Sequence, residues 1–177
     1  NNMKIGLTGT MSVGKTTLVN ALKENKIFKD YNFATERSKY LSDLGIPLNT
    51  DSTLKGQTVF LAERCAELLN DNIITDRTII DVLAFTQSAK SVDQVEYDLF
   101  EQYAIQFLRD YDHIFYISPE GMSIEDNGVR ETDEHFRDVI DFSIITLLKR
   151  WGHRIDNVTE ISGTTEQRIK QIEEAIS

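Results

Sequence analysis

The sequence feature that most constrains the fold is the stretch GTMSVGKTT at residues 9–17. It matches the pattern G-x-x-x-x-G-K-[S/T] and follows an apolar segment, MKIGLTG, that suits a buried strand. The segment after it, KTTLVNALKEN, has apolar residues at helical spacing. A chance glycine turn before an ordinary helix is the alternative. The lysine, the threonines and both flanking segments favour a strand, a phosphate-binding loop and a helix.

Each residue type in this loop suits the binding of phosphates. Gly9 and Gly14 let backbone N–H groups turn inward, and the helix N-terminus adds the positive end of its dipole. Lys15 supplies a mobile charge for the β- and γ-phosphates, and Thr16 offers its hydroxyl to Mg²⁺. We therefore predict a nucleotide and Mg²⁺ at this loop. The nucleotide-binding residues are Gly9, Thr10, Met11, Ser12, Val13, Gly14, Lys15, Thr16 and Thr17.

Length and composition predict one globular domain over residues 1–177, since 40% of the residues are hydrophobic and only two are proline. Asn1 and Asn2 are interpreted as a cloning remnant before Met3. The single cysteine, Cys65, excludes an intramolecular disulfide and fits a reducing compartment. No stretch is long and apolar enough to cross a bilayer, and no signal peptide precedes Met3. The expected location is the cytoplasm, without a membrane partner.

The charge balance disfavours nucleic acid as a partner without excluding it. The chain has 19 basic and 29 acidic residues, a net charge of −10, and no basic run that could neutralise a phosphate backbone. Lys149, Arg150 and Arg154 lie close in sequence, and we interpret them as a solvated helix end. The sequence does not indicate an oligomeric state.

Apolar patterning predicts alternating strands and helices. Strands are expected at residues 3–9, 31–36, 72–76, 113–118 and 158–161, and helices at about 15–25, 52–70, 79–89, 92–110, 135–151 and 164–176. The segment 119–135 has no period and is predicted to be a loop. This order indicates an α/β fold with a five-stranded parallel sheet covered on both faces, whose ligands gather at the carboxyl ends of the strands.

The segment TDRT places an acid and a base at the end of the third strand. P-loop proteins specialised for hydrolysis usually have an acidic pair here, but in this chain Arg77 follows Asp76. Asp76 could hold Mg²⁺ or its water shell, and Arg77 offers a planar fork for a phosphate or carboxylate. The structural alternative is an Asp–Arg pair that caps the helix beginning near Thr78.

Glu36 is the second candidate at a strand end. Its carboxylate could accept a hydrogen bond from an acceptor hydroxyl and take its proton during phosphoryl transfer. A solvated pair with Arg37 is the alternative. Between Glu36 and Asp76, several side chains could surround a nucleoside-like ring, although Phe60 suits the core equally well. These side chains are Tyr40, Asp51, Gln57, Phe60 and Arg64.

Arg130 lies in the predicted loop at 119–135, which could close over bound phosphates as a lid, deliver a charge and expel water. The alternative is a surface loop whose arginines pair with neighbouring acids such as Glu131 and Asp138. For Arg137, which is predicted to lie on the following helix, surface pairing is the favoured interpretation.

Together, GTMSVGKTTL, ATERSKYL, IITDRTIIDVLAF, EDNGVR and EISGTTEQRI resemble the small AAA-type P-loop proteins. These include the ribosylnicotinamide kinase module of bifunctional NAD-biosynthesis proteins and related phage and bacterial ATP-binding proteins. The resemblance spans nearly the whole chain. Its Walker A loop indicates only a nucleotide, whereas the ordered Glu-Arg, Asp-Arg and Gly-Val-Arg set is more specific to kinase-like members. The resemblance implies a P-loop three-layer sandwich with strand order 2-3-1-4-5, ATP with Mg²⁺ as donor, and Gly163 and Thr164 near the adenine.

We therefore expect an ATP- and Mg²⁺-dependent phosphotransferase acting on a nucleoside or nucleotide-like small molecule. The predicted catalytic residues are Lys15, Glu36, Asp76, Arg77 and Arg130, with Thr16 and Asp76 at the metal. A GTPase would need D-x-x-G and N-K-x-D motifs, which are absent. A kinase of hydroxymethylated bases in phage DNA stays open, as does an ATPase or nucleotide-binding module without a small-molecule acceptor.

Overall fold

The computed structural model describes residues 2–35, 37–120 and 131–177, with the side chains of 131–133 left aside. Its sheet has five parallel strands in the order β2-β3-β1-β4-β5. The predicted fold class and strand order are confirmed. The strands are β1 (Lys4–Thr8), β2 (Asn32–Ala34), β3 (Ile73–Asp76), β4 (His113–Ile117) and β5 (Val158–Ile161).

Seven α-helices within the described residues connect and follow these strands. They are α1 (Lys15–Lys23), α2 (Ser38–Asp43), α3 (Leu54–Glu67), α4 (Ile79–Gln87), α5 (Gln94–Ala104), α6 (Glu131–Trp151) and α7 (Thr165–Ile176). Short 3₁₀ turns occur at Lys26–Phe28, Asn49–Asp51, Ile105–Asp110 and Gly152–Arg154.

Two apolar clusters, one on each face of the sheet, make the molecule a three-layer sandwich. On one face, Leu18 and Leu22 of α1 and Ile172 of α7 pack with Ile5 and Phe115 of the central strands. On the other face, helices α3 to α6 pack over the sheet. Because side chains alternate along a strand, neighbouring β4 residues supply both clusters. The central strands are therefore buried on both sides, and their carboxyl ends meet at one edge.

Several elements differ from the sequence-based prediction in their bounds, among them α5, which ends at Ala104 and not at Asp110, and one helix was not predicted. Helix α2 was not predicted, because its six residues bury only Leu41 and so show no apolar period. Helix α3 begins at Leu54 because Thr53 is its N-cap and accepts a hydrogen bond from the Gly56 N–H. Helix α6 begins at Glu131, four residues before the predicted start. Polar first turns carry no apolar signal, so periodicity cannot locate them.

No helix in the described ranges is long and apolar enough to span a membrane. The cytoplasmic location stays a prediction.

His113, at the start of β4, is buried. Its Nε2 lies 2.8 Å from Thr159 Oγ1, and its ring stacks on Phe115 with a centroid distance of 4.1 Å. Burial lowers the pKa of His113. Below the ordinary histidine pKa, the unfolded chain therefore binds a proton more readily than the folded chain, and stability falls as the pH falls.

We expect His113→Gln to lose less stability than the wild type when the pH is lowered from 7.5 to 5.5. Urea unfolding at both pH values measures this difference in stability. The carboxylates also titrate in this range, but they are common to both proteins, so their effect cancels in the comparison. His153→Gln, which alters an exposed histidine, is the matched control. Equal pH dependence of the wild type and His113→Gln would contradict the prediction.

Candidate active site

The loop between β1 and α1 has the backbone conformation that its glycines suggest. Ser12 and Gly14 have φ values of 60° and 79°, in the left-handed region, and Gly14 is the N-cap of α1. The Lys15 side chain is buried, and its Nζ donates to the carbonyl oxygens of Gly9 at 2.6 Å and Thr10 at 2.8 Å. The ammonium group is thus held against the loop that would receive phosphates.

A pocket of about 280 Å³, here called the phosphate pocket, lies over this loop. Asp76 and Arg77 complete it from the end of β3, because β1 pairs with β3 in a register that sets Leu7 beside Asp76. The lining residues are Met11, Ser12, Val13, Gly14, Lys15, Thr16, Thr17, Asp76 and Arg77. Two predicted groups far apart in sequence therefore meet at one site.

Thr16 and Asp76 suit a magnesium ion in this pocket. Both present oxygen atoms, the donor type that Mg²⁺ prefers, and Asp76 is buried at the end of its strand. No group of three or more His, Cys, Asp or Glu side chains that could hold a metal occurs in the part of the chain that the structure describes. A bound Mg²⁺ would take its other ligands from phosphates and water, which is its usual mode at nucleotide sites.

Asp76 does not cap helix α4, so the part of the structural alternative that made it a helix cap is wrong. Thr78 is the N-cap, and it forms a capping box with Asp81. Asp81 is 1% exposed, and its carboxylate accepts hydrogen bonds from Thr8 Oγ1 at 2.7 Å, Gly9 N at 3.2 Å and Thr78 N at 2.7 Å. One buried carboxylate thus joins the end of β1 to the start of α4. Sequence reasoning missed Asp81, although the spacing T-x-x-D was a signal.

Arg77 lies where the phosphate pocket meets a second cavity. Its φ of 88° is in the left-handed region, which is costly for a residue with a Cβ and is found preferentially at functional sites. Its Nη1 lies 3.8 Å from Asp81 Oδ1, and its guanidinium lies over the Phe85 ring, 5.0 Å from the centroid. With this backbone conformation and these two contacts, the Arg77 side chain lines both the phosphate pocket and the second cavity.

The second cavity, here called the adjoining cavity, has a volume of about 270 Å³. It shares Met11 and Arg77 with the phosphate pocket. Its lining residues are Met11, Ser38, Leu48, Asn49, Gln57, Phe60, Arg64, Arg77, Asp81, Val82 and Phe85. The cavity thus combines aromatic, aliphatic and polar walls from helices α2, α3 and α4.

Three of the five side chains predicted to surround a ring line the adjoining cavity: Gln57, Phe60 and Arg64. Tyr40 and Asp51 do not line it. The Tyr40 ring is largely exposed and lies under the Arg37 guanidinium, 4.5 Å from ring centroid to carbon. Phe60 also packs in the apolar cluster, so both of its proposed roles are compatible with its position.

Arg64 enters the adjoining cavity with its charge already paired. Its side chain is 2% exposed and forms a two-pronged interaction with Glu67, with Nε at 2.9 Å from Oε2 and Nη2 at 2.5 Å from Oε1. Burial by itself would lower the pKa of Arg64, but Glu67, together with Tyr111 and Asp81, outweighs this effect, so the pKa of Arg64 lies above its usual range. Burial raises the pKa of Glu67, an effect that Arg64 opposes. The two side chains form a buried ion pair.

Two further arginines, Arg168 and Arg137, are buried beside the phosphate-binding loop. Arg168 of α7 is buried and donates to the carbonyl oxygens of Val13 at 2.5 Å and Ser118 at 3.1 Å. Arg137 is 4% exposed, so the expectation of a surface arginine is wrong. Its carbonyl accepts a hydrogen bond from Thr10 Oγ1, because α6 lies against the phosphate-binding loop at this point.

Gly163 and Thr164 lie between β5 and α7, where Gly163 has φ 97° and Thr164 is the N-cap of α7. They do not line the phosphate pocket. Glu36 and Arg130 lie outside the described residues, as does most of the predicted lid. Their roles stay predictions.

The strand order, together with a phosphate-binding loop between β1 and α1, defines the fold of the P-loop nucleoside and nucleotide kinases. The chain itself belongs to the AAA domain family, whose profile matches residues 4–168. No curated protein matches the sequence.

Solved structures resemble the fold over nearly the whole chain. A NadR protein in complex with NAD and AMP-PNP has a TM-score of 0.74 and 16% identity, covering 98% of this chain and 49% of the NadR chain. This chain therefore spans about half the length of that relative. Deoxyadenosine kinase from M. mycoides with bound dCTP has a TM-score of 0.61, 21% identity and coverage of 98% and 96%. Thymidylate kinase from Ehrlichia chaffeensis has a TM-score of 0.64, 15% identity and coverage of 99% and 98%.

Proposed function

We propose that the protein is an ATP- and Mg²⁺-dependent phosphotransferase that acts on a nucleoside or nucleotide-like small molecule. The observation that carries this proposal is the meeting of two cavities at Met11 and Arg77. One cavity lies over a glycine-rich loop and a helix N-terminus, which suit phosphates, and the other has aromatic and polar walls that suit a small molecule. Transfer between two bound molecules needs this adjacency, because the acceptor oxygen must lie in line with the γ-phosphorus and its leaving group, ADP.

We assign each of the chain's site residues a separate role in phosphoryl transfer. Lys15 would neutralise the β- and γ-phosphates, and Thr16 and Asp76 would hold Mg²⁺, which supplies further charge neutralisation when bound. Arg77, at the junction, would stabilise charge on the phosphoryl group during transfer. We assign Glu36 the role of general base, Arg130 a contact with the phosphoryl group from the lid, and Gly163 and Thr164 contacts with the adenine.

The described position of Asp81 supports this division. Because it fixes Gly9 N and Thr78 N at once, the phosphate-binding loop and the helix that carries Phe85 keep one relative placement. Positioning of this kind is the main contribution of a protein to phosphoryl transfer. The named ligands of the structural relatives, AMP-PNP and dCTP, agree with a nucleotide at the site.

Incubation with [γ-³²P]ATP, Mg²⁺ and a pool of nucleosides, nucleotides and hydroxymethylated DNA tests the proposal. A labelled small product is the expected result. Labelled DNA would favour the base kinase instead. Free phosphate without a labelled acceptor would indicate an ATPase, and no turnover with retained ATP binding would indicate a nucleotide-binding module.

A further inference from the structure

The charged side chains that line the adjoining cavity are balanced by carboxylates of the protein itself. Its charged lining residues are Arg64, Arg77 and Asp81. Arg64 donates two hydrogen bonds to the Glu67 carboxylate, from Nε and Nη2, and Arg77 Nη1 lies 3.8 Å from Asp81 Oδ1. Each guanidinium therefore has a carboxylate partner within the protein, and the formal charges of the two pairs cancel.

Cations near the cavity are also engaged. Arg37, which precedes α2, pairs with Glu63 at 3.5 Å and stacks on Tyr40. Lys15 faces the phosphate pocket from the other side of Met11 and belongs to the donor site. Among the described residues that line the adjoining cavity, a dianionic phosphate on the acceptor would thus meet two guanidinium groups that each already have a carboxylate partner.

Gln57 offers an uncharged hydrogen-bonding group for recognition of a ligand in this cavity. Its side chain is 3% exposed and lines the cavity on α3, one turn before Phe60. A primary amide presents two donor hydrogens and an acceptor oxygen in one plane, so it can pair with the donor and acceptor edge of a planar ring. Phe60 and Phe85 add aromatic surface for such a ring.

We propose that the acceptor is an uncharged nucleoside that offers a hydroxyl group, and not a nucleoside monophosphate. This inference rests on the proposed phosphotransferase function and narrows its acceptor. In the step, a lone pair of the acceptor hydroxyl oxygen forms a bond to the γ-phosphorus. The bond from that phosphorus to the β–γ bridging oxygen breaks, its electron pair leaves with ADP, and the hydroxyl proton passes to the general base.

The first experiment compares each nucleoside with its own 5′-monophosphate in the labelled ATP assay at pH 8. The expected result is a kcat/KM for the nucleoside at least about tenfold above that for the monophosphate, since an unpaired phosphate gains no net ion pair in the cavity. Preference for the monophosphate would overturn the inference and leave the phosphotransferase function intact. Label transfer to neither would overturn both.

The second experiment removes the charge balance. Glu67→Gln leaves Arg64 without its carboxylate, so monophosphate turnover should gain relative to nucleoside turnover by about tenfold. The ratio of two substrates on one preparation does not depend on the folded fraction, which protects the result if the variant is less stable. A role of Glu67 that is only structural would leave this ratio unchanged.

Glu63→Gln is the matched control, because it removes the same charge one turn earlier on α3, where Glu63 pairs with Arg37 outside the cavity. Its substrate ratio should stay within about twofold of the wild type. An equal shift in both variants, or no shift in Glu67→Gln, would overturn the charge-balance argument. The comparison of substrates on the wild type decides the inference even if Glu67→Gln does not fold.

Discussion

Lys15→Ala is expected to lower phosphoryl transfer by roughly 10²–10³ and to weaken Mg²⁺–ATP binding, while the fold is retained. The physical reason is that its ammonium group lies within the loop that is proposed to surround the phosphates, with Nζ at 2.6 Å and 2.8 Å from two loop carbonyls. No other residue in that loop carries a positive charge. Initial rates with labelled ATP and calorimetric titration with AMP-PNP measure the two effects.

Lys23→Ala removes the same charge from the other end of α1 and serves as the control. Its side chain is exposed and lies over the Phe33 ring, away from the phosphate pocket. We expect near wild-type rates for this variant. Unchanged turnover in Lys15→Ala would remove the loop from the mechanism, since its lysine would then have no role in transfer.

Asp81→Asn should lower both the free energy of unfolding and activity. The amide replaces one carboxylate oxygen with an NH₂ group, which would face the N–H and O–H donors of Thr8, Gly9 and Thr78. Leaving buried donors unsatisfied costs about 1–3 kcal/mol each, so we expect a loss of roughly 2–4 kcal/mol. Urea unfolding measures the free energy of unfolding. The rate of phosphoryl transfer per folded molecule measures how far displacement of the phosphate-binding loop lowers activity.

Glu96→Gln is the matched control for Asp81→Asn. Glu96 has the same third position in the capping box of α5, but it is only partly buried and its carboxylate accepts only from Asp93 N among the described residues. A change within about 0.5 kcal/mol is expected. Equal losses in the two variants would show that capping alone, and not the connection to β1, accounts for the role of Asp81.

The fold and the pocket over the glycine-rich loop could be predicted because their signals lie in contiguous residues. The spacing of Gly9, Gly14 and Lys15 specifies backbone turns and charge locally, and the apolar pattern specifies which segments are strands or helices. The rule that ligands gather at the carboxyl ends of parallel strands then placed Asp76 and Arg77 beside the loop. These residues do line the phosphate pocket.

The acceptor side could be predicted only in part, because its walls come from separate elements. Gln57 and Arg64 were proposed as polar groups near a ring, but their sequence positions do not show which charges are compensated. The pairing of Arg64 with Glu67 depends on how α3 is buried against its neighbours. Whether Arg64 binds a ligand or a carboxylate is therefore a property of packing.

The sequence by itself determined that this chain has a parallel sheet with a phosphate-binding loop after its first strand, since glycine spacing and apolar periodicity act over a few neighbouring residues. Tertiary structure alone decided that Asp81 fixes that loop and that Arg137 is buried. It also joined the phosphate pocket to a charge-balanced cavity. Burial and the choice of an ion-pair partner depend on residues far apart in the chain, and only their packing brings them into contact.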